Sequence, residues 1–191
     1  TKCTDHLSIF AAPAVLDREY DISADGCDTV LDVVRQNVPY VMIDLPNAWS
    51  DWSKRLLMHA DEVVITAAPD LANLRNAKNL IDLLAASRSN DDPPHLVLNT
   101  VNMPRRPEIG IKEFCQSLKL DPIATIEFDA QSFGQAANNG EMIEQTNKKA
   151  KAIAAFHALA ATIMHRPQSA TSQPAKASAL GPWLAKLKLG K

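Results

Sequence analysis

Two apolar runs constrain this chain more than any other feature. EVVITAAP (62–69) and HLVLNTV (95–101) each carry three consecutive aliphatic residues with no apolar–polar alternation, and a helical pattern separates them. From Asp70, the residues Leu71, Leu74, Ala77, Leu80, Ile81 and Leu84 recur at three- and four-residue steps, one face of a helix. A strand exposed on one face alternates apolar with polar residues; a strand buried on both faces does not. Continuous strands joined by helices therefore predict an α/β fold, a mostly parallel sheet flanked by helices. Further predicted strands are LSIFAAP (7–13), YVMIDLP (40–46) and ATIEFD (124–129). Helices are expected over Asp25–Asn37, Ser50–Ala60 with Ser50 as N-cap, 109–120, and Asn147–His165. Asn90, Asp91, Asp92, Pro93 and Pro94 form a turn.

Ligands of such sheets bind beyond the carboxyl ends of the strands. Asp44, Asp70, Asn99 and Asp129 all fall at or near predicted strand ends. An acid closing a buried strand, as Asp44 closes Val41–Met42–Ile43, is what a magnesium–nucleotide site uses to hold the water shell of its metal. Such a site also needs a glycine-rich loop with a lysine. These 191 residues contain no GxxxxGK[ST]; the six glycines are scattered.

Composition narrows the class. Hydrophobic residues are 46% and charged residues 22%, ordinary for a soluble globular chain. No apolar run approaches the ~20 residues of a membrane span. The N-terminus has no signal-peptide pattern. Cys3, Cys27 and Cys115 are far apart and form no CxxC, which implies a reducing compartment. The five histidines are dispersed, and no Ser-His-Asp pattern can be argued. The chain begins at Thr1 rather than Met, as expected of a fragment or processed product.

The net charge of −2 is unevenly spread. From Gln145 onward there is no acid, and eight of the 20 basic residues lie there. The remainder holds twelve basic residues against all 22 acids, a net of −10. An acidic body without a basic face argues against nucleic-acid binding. Residues 166–179 are rich in Ser, Ala, Pro and Gln and read as a flexible linker. In 180–191, Leu180, Trp183, Leu184 and Leu187 fall on one helical face beside Lys186, Lys188 and Lys191. That makes a short basic amphipathic tail, suited to an anionic membrane surface or a partner protein.

Three stretches resemble the MinD/ParA class of P-loop ATPases: IDLPNAWSDWSKRLLMHADEVVITAAPDLANLRNAKNLIDLL, PPHLVLNTVNMPRRPEI and IEFDAQSFGQAANNGEMI. The tryptophans after Asp44 and the phrase DLANLRNAKNL are closer still to the pilus-assembly proteins CpaE and TadZ. The similarity spans about residues 5–165. It implies a partial P-loop NTPase domain over 1–165 whose phosphate loop is not in this chain. It implies ATP and Mg as cofactors of the complete protein, with Asp44 on the metal through water and Asn99 reading adenine. Pro46 lies in the second switch loop and Asp129 in the loop on the base side. The expected role is Flp/Tad (type IVb) pilus assembly and localisation. The expected partners are a second copy, paired through nucleotide, and other pilus-assembly components. The expected location is cytoplasmic, at the inner membrane or cell pole. The alternative is a non-catalytic scaffold that keeps the fold for docking partners. Arg105 and Arg106 read as part of an exposed loop.

Overall fold

The computed structural model describes residues 1–11, 23–46 and 49–165. Asn47, the linker and the amphipathic tail lie outside the described residues. The chain divides into two units at Ala60/Asp61, and each is described by itself.

In the first unit the N-terminus is a small hairpin. Lys2 bridges Ser8 in antiparallel fashion. The Ile9 N–H donates to the Thr1 carbonyl at 2.8 Å, and the Cys3 and Thr4 N–H groups both donate to the Leu7 carbonyl. This corrects the expected strand over 7–13. The Thr4–Asp5–His6 turn sends residues 8 and 9 back onto residues 1 and 2, so they extend no sheet. Residues 12 and 13 lie outside the described residues. Helix α1 (Ala24–Arg35) is capped by Ser23, whose hydroxyl accepts the Gly26 N–H at 3.1 Å. It ends ahead of Pro39, which cannot continue a helix. Helix α2 (Asp51–His59) has Ser50 as its N-cap, reciprocated by the buried Ser53. Within this unit Arg55 of α2 pairs with Asp25 and Asp28 of α1 at 3.1 and 2.7 Å.

Residues 40–46 form no strand. Tyr40, Val41, Met42 and Ile43 are all exposed, Met42 to 85%. A strand is a property of a pair: its backbone N–H and C=O groups need a ladder partner. Among the described residues this stretch has none, so the apolar run is present without the ladder it was expected to join.

The second unit carries the sheet. Strands β1 (Val64–Ala67), β2 (His95–Val101) and β3 (Pro122–Glu127) pair in parallel in the order β1-β2-β3. Ile65 lies opposite Leu96 and Ala67 opposite Leu98, while Leu98 lies opposite Thr125 and Val101 opposite Glu127. Helix α3 (Leu71–Ser87) joins β1 to β2, and α4 (Ile111–Leu118) joins β2 to β3. Two helices not expected from sequence follow, α5 (Ala130–Asn139) and α6 (Ile143–Thr146). Helix α7 (Lys151–Ile163) closes the unit.

Central strand β2 is covered on both sides. Leu96 and Leu98 are fully buried, and so is Val97, which alternation points to the other face. Val97 packs with Ala124 and Ile126 of β3 and Ala152 of α7, bordered by Phe133 and Leu159. Helices α3 and α4, which pack on each other, add Ala77, Leu84, Phe114, Cys115 and Leu118 to the buried set. The expected parallel sheet flanked by helices is present, with cover on both faces at the central strand; in β1 Ile65 and Ala67 are buried while Val64 and Thr66 are exposed. Among the described residues no helix is long and apolar enough to cross a membrane.

Candidate functional site

All three strands run in parallel, so their carboxyl ends lie along one edge of the sheet. Asp70 follows β1, Asn99 opens the last turn of β2, and Asp129 follows β3. Each is held by local chemistry.

Asp70 is the N-cap of α3. Its carboxylate accepts the Asn73 N–H at 2.8 Å and the Asn73 side-chain amide at 2.9–3.0 Å. These bonds, with Arg106 nearby, hold its pKa below the usual carboxylate range. Asp129 caps α5 in the same way, accepting the Ser132 N–H at 2.9 Å. Its carboxyl is also held low, chiefly by the Ser132 side chain and N–H. Capping occupies this carboxylate; Asp129 reaches the edge because it follows β3. At the far end of α5, Gly140 takes the left-handed conformation (φ 66°) that ends the helix.

Asn99 is half-buried, and its Oδ1 accepts the Thr100 N–H at 2.8 Å. Among the described residues its Nδ2 meets no protein acceptor, which leaves a donor for a ligand acceptor such as a ring nitrogen. The loop after it bends sharply: Thr100, Asn102 and Arg105 have φ of 53°, 60° and 64°. Arg106 grips this bend. Its Nη1 donates to Thr100 Oγ1 at 3.0 Å, and its Nη2 donates to the Thr100 carbonyl and to Glu108 Oε1. Glu108 accepts the Asn102 and Met103 N–H groups, both at 2.9 Å. Burial alone pushes the Glu108 carboxyl up. The two N–H groups and the guanidinium outweigh that and leave it below the usual range. The Ile109 N–H then donates to the Pro69 carbonyl at 2.8 Å, and the Phe128 N–H to the Val101 carbonyl at 2.8 Å. The loop is thereby tied to the ends of both β1 and β3.

Arg106 was therefore misread as part of an exposed loop; its side chain is only 24% exposed. The overlooked signal is the acid two residues on, which converts a surface arginine into one partner of a half-buried pair. Asp44 and Pro46 belong to the first unit, where both are exposed and lie outside regular structure. Asp44 belongs to no metal-ligating cluster of three among the described residues. Its carboxylate alone fits an outer-shell role toward a hydrated metal, not a complete metal centre. A shallow depression of about 480 Å³ between α1 and α2 is walled by Asp25, Asp51, Lys54 and Arg55, but Arg55 is already engaged by Asp25 and Asp28.

Comparison with known proteins agrees with this architecture. The chain is 26% identical to the septum site-determining protein MinD of Bacillus subtilis over 136 residues, 70% of this chain and 50% of that protein. It is 25% identical to MinD of Escherichia coli K12 over 152 residues, 74% of this chain and 56% of that protein. It thus spans about half the length of the curated relatives it matches. No family model matches. Among solved structures, a ParA family ATPase from Chlorobium tepidum superposes with a TM-score of 0.64 at 18% identity, over 78% of this chain and 61% of that one. MinD of Aquifex aeolicus superposes with a TM-score of 0.62 at 18% identity, over 76% and 62%. The chain is thus similar in sequence to MinD proteins, and its sheet and helices have the fold of MinD and ParA family ATPases.

Proposed function

We propose, from that similarity, that this chain is the base-side part of a MinD/ParA-type ATPase whose complete form binds Mg–ATP. The observation that carries this reading is the edge shared by the three strand ends, with Asn99 near the end of β2 carrying an Nδ2 donor that meets no protein acceptor among the described residues. In this reading Asn99 contacts the base and the α5 cap at Asp129 borders it. Asp44 and Pro46 serve the metal and γ-phosphate side, Asp44 through the metal's water. ATP supplies the phosphoryl group when bound; this chain's residues position and enclose it.

The biological role we propose is that of the CpaE/TadZ pilus-assembly proteins, supported by the residues around 44–84. Nucleotide pairs two copies, and the basic tail at 180–191 docks on the inner membrane or on other pilus components. The acidic body disfavours DNA as a partner. Calorimetry tests the nucleotide assignment. Without backbone N–H groups and a lysine around the phosphates, the isolated 191 residues are expected to bind Mg–ATP no tighter than millimolar. The complete protein is expected to bind it at micromolar levels. Micromolar affinity of the isolated chain contradicts this division of the site. Loss of pili with normal septa on gene deletion supports the pilus role, and misplaced septa contradict it.

A second reading, a non-catalytic docking scaffold, draws on the absence of a phosphate-loop motif in these residues and on the exposed Tyr40–Ile43 row. Failure of the complete protein to bind ATP would select it.

A further inference from the structure

We propose that Arg106 is a positioning residue for Asn99, fixing the side-chain amide that presents its donor at the strand edge. The inference rests on the reading that Asn99 contacts the base, and it adds a residue to that site.

The argument starts from a conformational anomaly. Thr100 is β-branched, and its left-handed φ of 53° is an outlier for such a residue. Backbone of this kind persists only where its surroundings over-determine it. Here the surroundings are one side chain: Arg106 holds both the carbonyl and the hydroxyl of Thr100. Glu108 anchors the guanidinium and also collects the next two backbone N–H groups of the bend. Held at its carbonyl and hydroxyl, Thr100 also keeps its N–H in place, and that N–H donates to Asn99 Oδ1 at 2.8 Å. That bond settles which end of the amide faces the chain, so Nδ2 is the end left for a ligand.

The arginine is incompletely satisfied itself: its Nε is buried without a partner among the described residues. Desolvating a charged side chain while leaving one of its donors unpaired is costly. Contact with Thr100 at two points and with Glu108 at a third needs the planar fork of arginine, which lysine lacks.

The test uses the 191-residue chain without nucleotide. Nuclear magnetic resonance relaxation reads the order of the Asn99 side-chain NH₂, and hydrogen exchange reads the Asn102 and Met103 amides. In the wild type the Asn99 amide is expected to be rigid. In Arg106→Lys, which keeps the charge and spares the fold, its order parameter is expected to fall below about 0.6. Glu108→Gln is expected to loosen the same amide and to unprotect Asn102 and Met103. It serves as the second variant if Arg106→Lys does not fold. An Asn99 amide that stays rigid in the folded variants overturns the proposal, because a merely structural brace changes stability alone. In the complete ATPase, Asn99→Ala and Arg106→Lys are both expected to reduce the preference for ATP over GTP by roughly tenfold, about one hydrogen bond. An effect of Asn99→Ala without one of Arg106→Lys overturns the positioning role and spares the base contact. No effect of either removes the base contact, and the positioning role with it.

Discussion

Replacing Phe114 with alanine is expected to be the most damaging single truncation in the described fold. Its ring is completely buried on α4, on the covered side of the helix that also holds Cys115 and Leu118. Removing a buried phenyl loses its transfer energy and leaves a cavity that a parallel sheet cannot collapse to fill. Such losses run at about 3–5 kcal/mol, or roughly 10 °C in the thermal midpoint. Phe156→Ala is the internal control. Its ring lies edge-on to Phe133, with centroids 6.5 Å apart, but is 39% exposed, so its loss is expected to cost about 1 kcal/mol. Equal losses in the two variants, read by thermal denaturation, would contradict the burial described for β2 and α4.

The second large effect belongs to the complete protein. Asp44→Ala is expected to lower ATP hydrolysis by about 10–100-fold, the usual consequence of removing a group that orients a metal through its bound water. Affinity for the nucleotide should change less, because the base-side contacts lie elsewhere in the chain. Steady-state kinetics with Mg–ATP separates the two. Unchanged turnover would reduce Asp44 to a turn acid.

The second unit was legible in the sequence for a physical reason. Its central strand is buried on both faces, so β2 runs from His95 to Val101 as the apolar run predicts, and Asp70 caps α3 where the periodicity begins. Helix α5 was missed because AQSFGQAANN is small and polar, with a glycine inside it. Its signals were the Asp129 cap, with Ser132 three residues on, and Gly140 past its end. The strands over 7–13 and 40–45 were misread because apolar runs specify a willingness to pair, and pairing depends on a neighbour. The site was partly legible. Asn99 and Asp129 sit at strand ends, as parallel topology requires. The Arg106–Glu108 brace was not legible, since its geometry depends on three left-handed residues that leave no periodic trace.

Photolabelling the complete protein with 8-azido-ATP, followed by mass-spectrometric mapping of the adduct, tests the central claim most directly. The account predicts modification within 99–108 or 127–131, the segments at the carboxyl ends of β2 and β3 proposed to border the base. Labelling confined to other segments of the protein, or labelling there that excess ATP fails to suppress, would contradict it.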